Sequence, residues 1–233
     1  MNWVVISCLA VLVALGLIGL KLGVVKMLYH LVAFALALVL TAAIAPMVSK
    51  IVVKEDSATV GRIKEKVVTT LKLDEIHFEK TISEEILDNL HIPESIREEI
   101  SFFNTTDNYE KIGAENAKDY LATSMAMIVL QAVVYLVVFL VIWLIVFMMF
   151  HALNLIDKVP GLHTVNRLAG MAVGLILAAC IILLFFVMVT ALSNLPVGQK
   201  MLTCIEENSV LKFWFDNNPL NGSFAYLSAK FNK

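Results

Sequence analysis

The sequence predicts an all-α membrane protein of about four transmembrane helices, with an amphipathic helical insert between the second and the third. Three observations predict it. Of the 233 residues, 59% are hydrophobic and 16% charged, where soluble domains have roughly 45–50% and about 25%. The mean hydropathy is +0.82, which long lipid-embedded segments explain. The apolar residues gather in four runs, each near or beyond the ~20 residues a helix needs to cross a ~30 Å hydrocarbon core. The charge, by contrast, is concentrated. Lys50 to Asp119 holds 16 of the 20 acids and 10 of the 18 bases, a net −6 inside a chain of formal net charge −2. A chain so close to neutral has no basic footprint for a nucleic-acid partner.

The first run is Trp3 to Leu20. No Lys or Arg precedes it and no small-residue cleavage site follows before Lys21, so a retained helix is expected rather than a signal peptide. Lys21 and Lys26 then interrupt the apolar sequence. A Lys at mid-bilayer costs ~2.5–3.5 kcal/mol, which offsets about six leucines at ~0.3–0.6 kcal/mol each. The two lysines therefore mark a membrane face, and residues 3–49 read as two helices. The second runs from about Met27 to Val48, with His30 near its start and Pro46 near its end.

Residues 50–119 form a polar, acidic, helical insert. Thr81-Ile82-Ser83-Glu84 resembles a capping box, with Ile82, Ile86 and Leu90 at fourfold spacing. Pro93 suits the first position of another helix, with Ile96, Ile100 and Phe103 on one face. Asn104-Thr105-Thr106 fits a glycosylation pattern, as does Asn221-Gly222-Ser223.

Residues 120–196 carry the third and fourth helices. Tyr120 to Phe150 is free of formal charge over ~30 residues, or ~45 Å of helix. Its first third, with Thr123, Ser124 and Gln131, is expected to project from the bilayer, and Val129 to Met149 to span it. A short polar turn, His151 to Arg167, leads into the fourth run, Leu168 to about Leu192, closed by Pro196. Residues 197–233 form an amphipathic tail in which Phe213, Trp214 and Phe215 suggest an interfacial aromatic patch.

Two glycine pairs at fourfold spacing, Gly19/Gly23 and Gly170/Gly174, with Ala178 one turn later, are candidates for close helix packing. In lipid, hiding a leucine from acyl chains gains little, whereas small residues let backbones approach. For Gly23 a helix end is an equal alternative. Lys21, Lys26, Lys158, Asn166 and Arg167 are candidate anchors at one membrane face. No catalytic, cofactor or metal site is expected. His151, Asp157, His163, Asn166 and Arg167 converge on no ligand set or nucleophile–base pair, and GxSxG, HExxH and GxxxxGK[ST] do not occur. Cys8, Cys180 and Cys204 show no CxxC or Cys/His spacing and read as small buried hydrophobes.

Three segments together resemble the CvpA family, the colicin V production proteins of bacterial membranes. The first is Gly19-Leu20-Lys21-Leu22-Gly23-Val24-Val25-Lys26 between two apolar helices. Gly23 and Lys26 match the family pattern, but Leu22 stands where a basic residue is usual. The second is Val159-Pro160-Gly161-Leu162-His163-Thr164-Val165-Asn166-Arg167-Leu168-Ala169-Gly170 leading to Gly174, similar to the family's turn into its last helix. The third is Glu207-Asn208-Ser209-Val210-Leu211-Lys212-Phe213-Trp214, similar to its amphipathic tail. The resemblance covers the membrane part and leaves the insert mostly unmatched. It implies a multi-pass protein of the bacterial cytoplasmic membrane, associated with toxin production or export and with envelope homeostasis, and no established catalytic residue.

The function expected is therefore that of a non-enzymatic membrane factor. It would assemble with itself or with export or envelope proteins, using the insert as a docking surface in addition to its contact with lipid. A small oligomeric transporter or passive channel is the alternative. The bases Lys21, Lys26, Lys158 and Arg167 flank the two short turns. Short positive turns favour the cytoplasm, so both termini and the 50–119 insert are expected outside.

Overall fold

A computed structural model of the protein describes residues 2–54, 57–78, 81–152 and 163–220. Those residues are mostly helical, with no strand among them. The helices are α1 (Trp3–Leu22), α2 (Val24–Val52), α3 (Ala58–Thr70), α4 (Glu84–Asn89), α5 (Glu94–Phe102), α6 (Thr106–Lys111), α7 (Ala117–Ala152), α8 (His163–Leu192), α9 (Pro196–Glu206) and α10 (Ser209–Asp216). Four are long and apolar enough to cross a bilayer: Trp3–Leu22, Val24–Val52, Ala117–Met149 and Val165–Leu192. The chain is an all-α membrane protein. Its contacts divide into two units, Met1–Ala45 with Tyr135–Phe185, and Pro46–Val134 with Phe186–Lys233.

The first unit is built from α1 and from parts of α2, α7 and α8. These helices are apolar all round, as membrane helices are, so the choice of inward face falls to shape. Met27, Ala33, Phe34 and Ala37 of α2 pack with Phe139, Ile142 and Val146 of α7 and Leu177 of α8. The rings of Phe34 and Phe139 meet edge to face with centroids 5.5 Å apart, a geometry the aromatic quadrupole favours. Val13, Leu17, Val39, Leu144 and Met148 point outward. In water such exposure would be costly; in acyl chains it is not.

The second unit has an aqueous-type core. Val67, Leu73, Leu87, Ile96 and Ile100 of the insert close on Tyr120, Leu121, Met125 and Ile128 of α7 and on Ala191 of α8. The expected projection of the third helix thus has a partner: its first turns are the post around which the insert folds. Val60 of α3 joins Ala126 and Leu130 in a smaller adjoining cluster. Ion pairs Lys64–Asp119 and Lys118–Asp74 fasten the insert to the start of α7.

Local structure in the insert departs from the expected caps by small steps. Ser57 caps α3 by accepting from Val60 N at 3.2 Å. Ser83, not Thr81, caps α4, accepting from Ile86 N at 3.4 Å. Ser83 has acids at both following positions, which suit a helix start. Pro93 is the N-cap of α5 rather than its first residue. Asn104 is committed to the fold. Its amide donates to Ile82 O at 2.6 Å, and its Oδ1 accepts from Ile82 N at 3.2 Å and from the Tyr109 hydroxyl at 2.5 Å. The Asn104-Thr105-Thr106 pattern is therefore a structural staple between the ends of two helical segments. Burial pushes the Tyr109 phenol above its ordinary pKa, which keeps it a neutral donor to Asn104. Asn221-Gly222-Ser223 lies outside the described residues.

Candidate functional site

The first site is the break between α1 and α2. The chain between Lys21 and Lys26 must leave one helix and enter another at the edge of the bilayer. It does so at one residue, Gly23, with φ +81°, a backbone region that side chains disfavour. A break leaves carbonyls orphaned behind it and amides ahead of it, and in a bilayer each must be satisfied within the protein. Gly23 N donates to Gly19 O at 2.9 Å. The start of α8 supplies the rest. Asn166 Oδ1 accepts from Val24 N at 3.1 Å, and Arg167 Nε donates to Leu20 O at 3.1 Å. Asn166 and Arg167, expected as headgroup anchors, also bond the backbone of the break.

The approach is close because it runs over glycines. A Cβ on Gly19 would lie 2.2 Å from Gly170 O, and one on Gly170 would lie 2.4 Å from Gly19 O and 2.7 Å from Gly23 Cα. A Cβ on Gly174 would lie 2.3 Å from Leu15 O and 3.4 Å from Met27 Cε. One face of α8 thus touches residues on both sides of the break, so α1 and α2 are the arms of a hairpin clasped by α8. Ala178, one turn further on, is fully buried. Lys21 and Arg167 are exposed and Lys26 half-buried at the hairpin's closed end. Lys158 lies outside the described residues.

Replacing Asn166 with leucine removes the acceptor for Val24 N while keeping the same number of side-chain heavy atoms. An orphaned buried amide costs about 1–3 kcal/mol. Asn166→Leu is expected to lower the thermal midpoint in detergent, while Asn166→Asp, which keeps an acceptor, stays closer to the parent. Equal midpoints for the two variants would contradict the capping role.

The second site is a groove of about 750 Å³ in the second unit, between α4–α5 and α9–α10. Its walls carry Asp88, Glu94, Glu98, Glu206 and Asp216 against Arg97, Lys212 and His91. Arg97 pairs with Asp88 at 2.8 Å, and His91 Nε2 lies 3.4 Å from Glu206. Gln199 ties the walls together, its amide donating to His91 O and Ser193 O at 2.6 Å each. The groove's net charge is negative with His91 neutral. Sequence spacing did not reveal it, because its two walls lie about a hundred residues apart.

The aromatic patch of the tail is divided. Phe213 and Trp214 are exposed, whereas Phe215 is buried with its ring against Phe186. The correction follows from helix geometry: neighbouring residues point about 100° apart, so three in a row cannot share one face. Val210, three and four residues before Phe213 and Trp214, completes the exposed face.

Among known proteins, the Colicin V production protein family model matches residues 109–218. The match takes in α7 to α10 and leaves α1 and α2 outside, so it is narrower than the expected resemblance over the whole membrane part. No curated protein and no solved structure matches the chain. The matched stretch contains Asn166, Arg167, Gly170 and Gly174 of the clasp and the tail wall of the groove. Over residues 109–218, a little under half of its length, the chain is similar to the Colicin V production protein family.

Proposed function

We propose that this protein is a non-enzymatic factor of the bacterial cytoplasmic membrane that serves toxin production or export and envelope homeostasis by docking a partner protein. One observation carries the reading: the acidic groove formed jointly by the insert and the family-matched tail. Its mixed walls offer charge complementarity to a basic segment of an export or envelope protein, and complementary charge speeds encounter and selects partners. The His91–Glu206 contact and the Gln199 bridge hold the walls in register before any partner arrives.

The orientation we propose has both termini and the insert outside the cytoplasm. Lys21, Lys26 and Arg167 lie at the closed end of the α1–α2 hairpin, and short basic turns stay in the cytoplasm. A photo-crosslinking residue in place of exposed Glu98, irradiated in native membranes, tests the docking role. A second protein species is expected in the adduct, lost when Glu94 and Asp216 are changed to lysine. Adducts containing only further copies of this chain would refute docking to a different protein.

A further inference from the structure

The tail helix α10 has an exposed apolar face that the groove does not use. Val210, Phe213 and Trp214 are 66%, 65% and 45% exposed. They stand at positions i, i+3 and i+4, one face of a helix. On the other side, Phe215 is buried with its ring 5.7 Å from that of Phe186 at 74°. Phe186 belongs to the apolar span Val165–Leu192. That contact fixes the depth of α10. The span has 28 residues, about 42 Å of helix against a hydrocarbon core of ~30 Å. If all the excess lies at the Leu192 end, Phe186 sits ~3 Å outside the hydrocarbon. If all of it lies at the Val165 end, Phe186 sits ~9 Å inside. Ala191, further along the same helix, belongs to the core of the polar insert, so the excess lies mainly at the Leu192 end and the helix packed on Phe186 lies near the boundary between headgroups and acyl chains.

We infer that α10 is an interfacial helix whose Val210, Phe213 and Trp214 insert into the bilayer surface, with neutral phospholipid as the ligand. Two observations select lipid over a second copy of the chain. Three partly exposed side chains offer on the order of 300–400 Å², short of the ~800 Å² per partner in a stable protein interface. Their types, two aromatics and a valine at boundary depth, are those that partition there. Headgroup charge is not required, because exposed Lys212 and Asp216 on the same helix cancel. The inference rests on α8 spanning the membrane and is independent of the docking role proposed for the groove.

The test uses the full chain in phosphatidylcholine vesicles with Trp3→Phe and Trp143→Phe, leaving Trp214 as the only indole. Lipids brominated near the headgroup end of the acyl chain are expected to quench Trp214 more strongly than lipids brominated near the chain terminus. Aqueous iodide is expected to quench it weakly. Val210→Ser with Phe213→Ser should raise iodide quenching severalfold. Free quenching by iodide with no effect of brominated lipid would overturn the proposal. So would shielding from both quenchers, which would put a second copy on this face, or quenching by brominated lipid only when anionic lipid is added. Should the double tryptophan replacement fail to fold, a nitroxide at Phe213→Cys in a chain with alanine at Cys8, Cys180 and Cys204 gives the same answer. Greater collision with oxygen than with an aqueous nickel chelate supports insertion, and the reverse overturns it.

Discussion

Gly170→Ala is expected to loosen the clasp between α8 and the α1–α2 hairpin and to destabilise the protein by about 1–3 kcal/mol or more, the range for forcing a methyl into a filled core. The added carbon would stand 2.4 Å from Gly19 O and 2.5 Å from Gly23 C. Both are backbone atoms, and no side-chain rotation can relieve the overlap, so the helices must move apart. Moving apart also lengthens the bonds from Asn166 and Arg167 to the break. Gly19→Ala meets Gly170 O at 2.2 Å and should cost a similar amount. The double variant should cost less than the sum, because both substitutions open one contact. Gly61 is the control. It is exposed within α3 and a Cβ there meets nothing within 4 Å, so Gly61→Ala should gain about 0.5–1 kcal/mol from helix propensity. Thermal unfolding in detergent reads all four variants. Equal midpoints for Gly170→Ala and Gly61→Ala would show that the seam is not closely packed.

Ile100→Ala should unfold the insert before it disturbs the membrane helices. Ile100 is 2% exposed in the core that joins α5 to α7. Truncating a buried isoleucine to alanine costs about 2–5 kcal/mol through lost burial and the cavity left behind. Phe102, two residues away, is 78% exposed, and its replacement by alanine should be near neutral. Limited proteolysis of membranes separates the two. The Ile100 variant should be cut within residues 58–111 at protease levels the parent survives, and the Phe102 variant should behave as the parent. Equal resistance of the two variants would mean that the insert is not held by this core.

Much of this architecture is legible in the sequence because lipid imposes a coarse rule. The cost of Lys21 and Lys26 at mid-bilayer is large beside that of any single apolar residue, and it correctly divides residues 3–49 into two helices that meet at Gly23. Pro93 announces α5 within one residue for a similar reason, since a missing amide suits few positions. The polar residues Thr123, Ser124 and Gln131 set the start of the third helix apart from its apolar remainder, but do not say what it meets there. The partners of Tyr120, Leu121 and Met125 come from segments 11 to 71 residues away, and periodicity carries no information about such pairings.

The clasp was legible only in part. Small residues at fourfold spacing pointed to Gly170 and Gly174, yet nothing local distinguishes Asn166 as an anchor from Asn166 as a cap for another helix's amide. The distinction requires knowing that the orphaned Val24 N lies 3.1 Å away. The cap of α4 failed on a smaller scale. Thr81 and Ser83 are both competent caps with a following acid, and the choice of Ser83 is set by Ile82, which is buried and bonded to Asn104. The tail was misread by treating three adjacent aromatics as one patch, when helix geometry turns Phe215 inward to Phe186.

Contacts within the second unit bring insert and tail together: His91 lies against Glu206 and accepts from Gln199. Both must therefore lie on one side of the bilayer, with α7 and α8 forming a complete return crossing between them. Single cysteines at Glu98 in the insert, Glu207 in the tail and Lys21 in the hairpin turn, each in a chain with Cys8, Cys180 and Cys204 replaced by alanine, put this to a membrane-impermeant maleimide in sealed membranes. The expected result is that Glu98→Cys and Glu207→Cys are labelled from the same side and Lys21→Cys only from the other. Labelling of Glu98→Cys and Glu207→Cys from opposite sides, or of Lys21→Cys together with them, would contradict four crossings and the groove that depends on them.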